Sequence, residues 1–474
     1  MARPLAASQS ASAGSPAPVH PLPAFWSRIR TSTFWMVAIA LFLRVGWIIV
    51  GHTYKFKDLE NNFGFGWEMG RIGAAIATGR GFSDPFGVPT GPTAWEPPLY
   101  PYLVAAVFRQ FGIYSHASAF VLLSINSVFS ALTCIPIFLI ARRIFSERVA
   151  VGSAWTWAFL PYVMFWCTRW VWETSLSALL MAMIFWLALT MQDRTMQDRT
   201  IKDREGLLPW LEFGLLWGIA ALNSTVLLSF LPASGLWAWF HQAKSERRAG
   251  AKHAFIRSTA GALLASVVLF ACLAPWLLHE YRTFGKFIFI RDNFGAELRL
   301  GNGNGADGTW MQYLHPTQDV YAMRQYTAMG ELAYIALRKK QAVDYIKADY
   351  GRFAVLCVKR FIYFWAGPPR LSQIWWLAQV KNSLFLASSV LMVWGLARSL
   401  RQRKPGAGLL FWLILLYPAI YYVVFPSQRY RHPVEPEMAI LGVYLLNEAT
   451  IKGVKIGEMK IGEMKAGDRD PESA

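Results

Sequence analysis

The chain alternates between long apolar runs and short polar connections. A transmembrane helix needs roughly 17 to 25 mainly apolar residues, and runs of this kind recur along most of the sequence. They lie at 34–50, 117–141, 149–167, 174–190, 206–222, 224–240, 258–278, 381–398, 408–425 and 434–449. The pattern therefore predicts an all-α polytopic membrane protein, a bundle of about ten transmembrane helices.

Basic residues fall in alternate connections. Arg and Lys cluster at 28–30, 142–148, 244–257 and 398–404, and cytoplasmic connections carry such an excess of positive charge. These connections and both termini are therefore predicted to be cytoplasmic. The segments predicted to face outward are 51–116, 168–173, the turn at 223, 279–380 and 426–433. Two more apolar stretches lie at 97–112 and 353–367. If they crossed the membrane, the basic connections would no longer all lie on one side, so we predict interfacial helices there. Arg109, Lys359 and Arg360 support this prediction.

The same reading divides the chain into regions. An Ala-, Ser- and Pro-rich cytoplasmic tail is predicted over 1–33, followed by an N-terminal membrane module over 34–278 that includes the first outer loop, 51–116. A larger outer loop or cap region follows at 279–380, then C-terminal membrane helices at 381–449 and a cytoplasmic tail at 450–474. The first apolar run lacks a small-residue cleavage pattern and is predicted to be an uncleaved anchor.

Charge and cysteine content exclude some classes. The formal net charge of +18 could indicate a nucleic-acid partner, but its placement in alternate connections follows membrane topology instead, so no nucleic-acid partner is expected. The four cysteines lie singly in apolar segments, without the spacing of a zinc site or a disulfide framework. Neither a phosphate-binding P-loop nor a dinucleotide fingerprint occurs in the glycine-rich outer segment.

The first outer segment carries candidate site residues. Apolar positions at helical spacing predict a short helix over 67–78, with Glu68 in its first turn. The positive end of the helix dipole favours an ionised carboxylate there, available as a base. Alternatively, Glu68 only complements the dipole or pairs with Arg71. Tyr100, in the proline-rich stretch that follows, is either a membrane-interface anchor or a ligand contact.

Further charged residues mark the other outward segments. Glu173 precedes the fourth span and either points into an outer cavity or serves as a dipole partner. Arg429, Arg431 and His432 cluster where the topology leaves few basic residues. The planar Arg fork matches phosphate, although a lipid head group without catalytic importance would also suit it. Arg44 within the first span is a functional candidate or a side chain that snorkels to the interface.

Several stretches carry a resemblance to a known family. They are "GRIGAAIATGRGF" after an acidic first outer loop, "PPLYPYL", "IARRIF", the acid at Glu173, "FGKFIFIRDNFGAELRLGN" and "RYRHPVEP" before the last helix. In this order the chain resembles the polytopic glycosyltransferases of family 39, of the GT-C fold class, which includes protein O-mannosyltransferases and aminoarabinose lipid A transferases. The resemblance covers most of residues 34–449.

The resemblance implies a GT-C bundle that uses a sugar linked to a polyprenyl phosphate, at the periplasmic face of the bacterial inner membrane. The family's acids would fall on Glu68 and Glu173. For such a transfer we assign Glu68 as general base, Glu173 as an orienting or second acid, and Arg429 and Arg431 as phosphate ligands. The acceptor is left open among lipids, glycans and proteins. Relatives often carry an Asp-Glu pair where this chain has Glu68 alone, and the resemblance assigns no role to Glu96. A divalent metal is left open because its His and Glu ligands have no clear counterpart.

Two other classes remain open from the sequence. A transporter or lipid flippase is also a polytopic bundle, but transporter sites lie near the bilayer midplane, often between related halves. Here the ionisable groups gather at one predicted face, and no internal repeat is evident. A noncatalytic envelope scaffold would need no acids and arginines placed together.

Overall fold

The computed structural model describes residues 29–56, 63–191, 207–248, 250, 252–369 and 375–450. Most of the predicted tails, at 1–28 and 451–474, lies outside these ranges. Within them the regular elements are helices, apart from an isolated bridge between Ser83 and Pro92. In chain order the α-helices are α1 Thr33–Val50, α2 Glu68–Ala77, α3 Leu99–Phe111, α4 His116–Leu132, α5 Cys134–Ile144, α6 Glu147–Phe159, α7 Pro161–Arg169, α8 Thr174–Thr190, α9 Leu208–Asn223, α10 Leu231–Arg248, α11 Ala254–Phe284, α12 Phe294–Gly301, α13 Val320–Met329, α14 Glu331–Ala348, α15 Tyr350–Ala366, α16 Trp375–Arg401, α17 Ala407–Leu416, α18 Ala419–Val423 and α19 435–450. Short 3-10 helices lie at Phe63–Phe65, Thr225–Phe230, Gln312–Leu314 and Gln428–Val434.

Helices occupy each predicted membrane segment. Among the described residues, four are long and apolar enough to cross a membrane: Thr33–Val50, His116–Ile144, Ala254–Phe284 and Gln379–Arg401. The pair α6 and α7, bent by 47°, makes a fifth if it is one span, and Thr174–Thr190 and Ala407–Val423 are shorter apolar helices. The protein is thus an all-α multi-pass membrane protein. The full number of crossings and the orientation of the termini stay predictions.

Arg44 stabilises the break between α6 and α7. Pro161 has no N–H and cannot continue the hydrogen bonds of α6, so carbonyls near the end of that helix need other donors. Arg44 is fully buried and donates to the carbonyl oxygens of Trp157 and Ala158, each at 3.0 Å. Its Nε also donates to Ser130 Oγ at 3.0 Å. Arg44 therefore neither snorkels nor contacts a ligand cavity; it satisfies backbone groups inside the bundle.

Helices form in both stretches that were predicted to be interfacial. Helix α3 packs on α2, where Gly73 leaves room for Val104. Helix α15 has exposed apolar side chains, including Val355 and Phe361, as an interfacial helix would. Arg360, however, is not at its surface. It is fully buried and donates to carbonyl oxygens of Tyr422, Val423 and Gly301 and to Asn302 Oδ1. Its use as a marker of an interfacial surface was wrong, because its guanidinium is buried and donates hydrogen bonds to these carbonyl oxygens.

The cap region docks on the first outer loop. Phe86 and Trp95 of the loop pack with Tyr326 and Tyr334 of the cap in one buried apolar cluster. Glu331, at the start of α14, accepts hydrogen bonds at 2.5 Å from Thr93 Oγ1, the Ala94 amide and the Tyr326 hydroxyl. This docking fixes cap residues 291–315 against the helix that begins at Glu68.

Candidate functional site

A tight turn places Glu68 at the start of α2. The preceding residues, Gly66 and Trp67, have φ of 83° and 41°, and a left-handed backbone at a residue other than glycine is uncommon and costs energy. The carbonyl oxygen of Gly64 accepts a 3.0 Å hydrogen bond from the Val171 amide, which ties this turn to the segment before α8. Glu68 is only 5% exposed. The same backbone contact therefore brings the chain near Glu68 close to the chain near Glu173.

Four carboxyl groups and two arginines form what we call the carboxylate cluster: Glu68, Glu96, Glu173, Glu297, Arg291 and Arg429. The positive charge of Arg429 acts on each of the four carboxyl groups. Arg291 Nη1 lies 3.5 Å from Glu96 Oε2. The cluster therefore joins residues from the first outer loop, the segment before α8, the cap region and the segment before α19.

Arg429 is held by aromatic rings. Its guanidinium lies 3.6 Å from the centre of the Trp172 ring and 4.9 Å from that of Tyr430, and Nη2 donates to the Tyr430 hydroxyl at 3.3 Å. In the described part of the chain, Nη1 of Arg429 and Oε2 of Glu173 are buried without a hydrogen-bond partner. Buried polar atoms are nearly always paired in folded proteins, so these two atoms indicate a place where a polar ligand completes the site.

Burial governs the ionisation of the carboxyl groups. It raises the pKa of Glu68 to about 8; the charge of Glu96 raises it too, while Arg71 and Arg429 oppose the shift. Burial likewise raises the pKa of Glu173 to about 7, and Arg429 opposes that shift. The pKa values of Glu297, at about 7, and of Glu96 are also raised by burial. Several carboxyl groups thus titrate near neutral pH, which is typical of functional sites.

His315 extends from the cap region to Glu68. Its Nε2 lies 3.4 Å from Glu68 Oε1, without forming a hydrogen bond in this conformation. The Thr317 amide donates to Nδ1 at 3.3 Å, which leaves the ring proton on Nε2, facing Glu68. Burial lowers the pKa of His315 to about 3, and Arg71 lowers it too. The ring is therefore neutral near pH 7 and gives Glu68 no compensating positive charge.

The other predicted site residues have different surroundings. Arg71 is buried one helical turn after Glu68, and its charge acts on Glu68. Tyr100 is fully buried, and its hydroxyl donates to Asn126 at 2.9 Å, so it is not an exposed membrane anchor. Arg431 Nε binds Glu435 at 3.1 Å, and Nη1 donates to the Phe385 carbonyl and to Ser389 Oγ. His432 Nδ1 lies 2.8 Å from Glu435.

Sequence reasoning did not assign four residues of this site: Glu96, Arg291, Glu297 and His315. All four lie in loops or short helices whose mutual position depends on how the cap docks on the first loop. Helical periodicity carries no information about such contacts. The one available signal was the presence of ionisable residues in outward segments rich in aromatic residues.

No metal site can be drawn from the described residues. No group of three His, Cys, Asp or Glu side chains there is arranged to hold an ion. Glu68 and His315 provide two neighbouring donors, which falls short of the three protein ligands that catalytic zinc sites use.

No protein-family model matches the sequence, and no characterised protein matches it by sequence. Solved membrane glycosyltransferases are similar in structure. An oligosaccharyltransferase of Archaeoglobus fulgidus, solved with zinc and sulfate, matches at 16% identity and a TM-score of 0.46, over 88% of this chain and 49% of that chain. AglB of the same organism, with an inhibitory peptide and a dolichol-phosphate, matches at 14% identity and a TM-score of 0.43, over 93% and 52%.

ArnT of Cupriavidus metallidurans, bound to undecaprenyl phosphate, matches at 12% identity and a TM-score of 0.37, over 95% of this chain and 82% of that chain. The chain spans about half the length of the archaeal oligosaccharyltransferase that it matches. Because the identities are low and each TM-score is below 0.5, the function of this protein is argued from its own residues.

Proposed function

We propose that this protein is a membrane glycosyltransferase. It would transfer a sugar from a polyprenyl-phosphate donor to an acceptor at the periplasmic face of the bacterial inner membrane. The observation that carries this proposal is that the charge of Arg429, whose Nη1 has no hydrogen-bond partner among the described residues, acts on Glu68, Glu96, Glu173 and Glu297. A phosphate-binding cation next to carboxyl groups that titrate near neutral pH suits the chemistry of such a transfer.

Glu68 is the proposed general base. A base works best when its pKa lies near the operating pH, and burial places the pKa of Glu68 at about 8. Ionised Glu68 would accept the proton of the acceptor hydroxyl as the oxygen attacks the anomeric carbon. The carbon–oxygen bond to the lipid phosphate breaks in the same step, and the phosphate leaves with the bonding electrons. A single displacement of this kind inverts the anomeric centre.

Arg429 would stabilise the departing phosphate. Its Nη1 lacks a hydrogen-bond partner within the described residues, and a guanidinium donates to phosphate through two parallel bonds. Glu173, with one unpaired buried oxygen, would orient a hydroxyl of the sugar or of the acceptor. Because α8 begins directly after Glu173, the lipid chain of the donor would stay in the membrane while its head group enters the cluster.

Replacement of Glu68 tests this proposal. The purified protein in proteoliposomes is incubated with undecaprenyl-phosphate-linked sugars, and release of undecaprenyl phosphate is measured. Glu68→Gln keeps the shape and removes the base, so we expect the rate to fall by roughly a hundredfold to ten-thousandfold. Glu147→Gln, at an exposed position in the first turn of α6, is the matched control.

Wild-type rates in Glu68→Gln would remove the base assignment. No release of undecaprenyl phosphate by the wild type from any of these donors would contradict the proposed reaction.

A further inference from the structure

A polar cavity lies beside the carboxylate cluster. Its volume is about 320 Å³. The walls come from the residues after α1, from the 3-10 helix Phe63–Phe65 and from the end of α7. They are formed by Gly51, His52, Thr53, Lys55, Phe56, Phe63, Gly64, Arg169 and Trp170.

The walls of this cavity favour an anion. Among the lining residues that the structure describes, three are basic, namely His52, Lys55 and Arg169, and none is acidic. Thr53 Oγ1 is buried and has no hydrogen-bond partner among the residues that the structure describes. A buried hydroxyl is normally paired, so a ligand with acceptor oxygens would complete it.

The backbone holds these groups in place. Helix α1 ends at Val50, and His52 then adopts a left-handed conformation with φ of 47°. Such a conformation costs energy at a residue other than glycine, and it often marks functional positions. The Thr53 amide donates back to the Ile48 carbonyl at 3.2 Å. His52 and Lys55, from this turn, line the same cavity as Arg169 at the end of α7.

The cavity adjoins both the membrane and the carboxylate cluster. Trp47, Ile49 and Val50, in the last turn of α1, are about half exposed or more, as lipid-facing residues of a span would be. On the other side, the Phe63 ring lies 4.6 Å from that of Trp67, which precedes Glu68. The Phe63 and Trp67 rings thus lie between the cavity and the carboxylate cluster. The lipid-facing end of α1 lies next to the basic residues of the cavity.

We infer that this cavity binds the phosphate head group of a membrane lipid. Lys and Arg near a bilayer surface attract anionic lipids by about 1 kcal/mol each, and hydrogen bonds from charged donors to phosphate are stronger than neutral ones. The acyl chains would lie along the exposed end of α1 while the phosphate contacts Lys55, Arg169 and Thr53. This site is separate from Arg429 and does not depend on the proposed sugar transfer.

Short-chain lipids test the inference. Binding of dihexanoyl phosphatidic acid, dihexanoyl phosphatidylcholine and inorganic phosphate to the detergent-purified full chain is measured by native mass spectrometry. We expect phosphatidic acid to bind more tightly than the other two. Each lost cation should weaken the binding of phosphatidic acid by about fivefold, so Lys55→Gln with Arg169→Gln should weaken it by about thirtyfold. Thr53→Val should have a smaller effect.

The matched control is Lys252→Gln with Arg257→Gln, which removes the same charge at exposed positions in the connection before α11 and at its start. Equal loss of binding in both double variants would overturn the inference, since it would reflect net charge. Equal binding of phosphatidic acid and phosphatidylcholine would overturn it as well. Inorganic phosphate binding as tightly as phosphatidic acid would show a soluble anion site instead of a lipid site.

A measurement on the wild type avoids any folding defect in the variants. Amine acetylation of Lys55 and Lys252 is followed by mass spectrometry with and without dihexanoyl phosphatidic acid. We expect Lys55 to be protected by about tenfold and Lys252 to be unchanged. Unaltered labelling of Lys55 at a lipid concentration that gives binding would place the lipid elsewhere and overturn the inference.

Discussion

Two arginines two positions apart have opposite surroundings. Arg431 is 3% exposed and has protein partners: Glu435, the Phe385 carbonyl and Ser389. Arg429 lies over Trp172, and its Nη1 has no hydrogen-bond partner in the described ranges. A buried charge with a full set of protein partners stabilises the fold and is not free to bind a ligand. A charge with an unpaired donor beside carboxyl groups is available for one.

Replacement of Arg429 should have the largest effect. Arg429→Gln removes a cation whose charge acts on all four carboxyl groups, and with it the proposed phosphate ligand, so we expect kcat/KM for the lipid-linked donor to fall by roughly a hundredfold to a thousandfold. Because Arg429 also compensates the buried carboxyl groups, its loss should lower the unfolding temperature as well, so kcat/KM is compared for the folded fraction of each variant. Arg429→Lys should recover part of the activity, since it keeps the charge but loses the planar fork. Steady-state kinetics and thermal unfolding in detergent measure both quantities.

Replacement of Arg431 should mainly cost stability. Breaking a buried ion pair typically costs about 3 to 5 kcal/mol, and here Glu435 would lose its arginine and keep only the contact with His432. Arg431→Gln should therefore lower the unfolding temperature, while the folded fraction keeps kcat/KM within about tenfold of the wild type. Together the two variants test the comparison directly. If Arg431→Gln abolished transfer and left the unfolding temperature unchanged, Arg431 would belong to the active site after all.

Replacement of Glu96 should have the smallest effect, on pH dependence. The negative charge of Glu96 raises the pKa of Glu68, so Glu96→Gln should lower that pKa. The ionised base then persists to lower pH, and the acid limb of the kcat/KM profile should move to lower pH. The surface variant Asp344→Asn, in the exposed pair with Lys340, is the control. A shift of the acid limb to higher pH in Glu96→Gln would contradict the described electrostatics.

Local pattern predicted much of the fold. Apolar runs of membrane length predicted the helical segments and the multi-pass class. A segment that crosses the hydrocarbon core must satisfy its own backbone hydrogen bonds and expose apolar side chains. The apolar pattern did not predict the break at Pro161, where the predicted span 149–167 divides into two helices bent by 47°. Arg360 shows the limit of this reasoning, since a charged residue in an amphipathic stretch was taken as a surface marker and is in fact buried among backbone carbonyls.

The sequence by itself determined which residues are ionisable and in which connections they lie, because periodicity and charge asymmetry are local properties of the chain. Only the tertiary structure decided which of them meet. Glu68 and Arg429 are 361 positions apart, and they are brought together by the segment before α8, where the Val171 amide binds the Gly64 carbonyl and Trp172 packs under Arg429. Burial and neighbouring charge set the pKa of Glu68, and the same contacts distinguish Arg429 from Arg431; neither follows from sequence spacing.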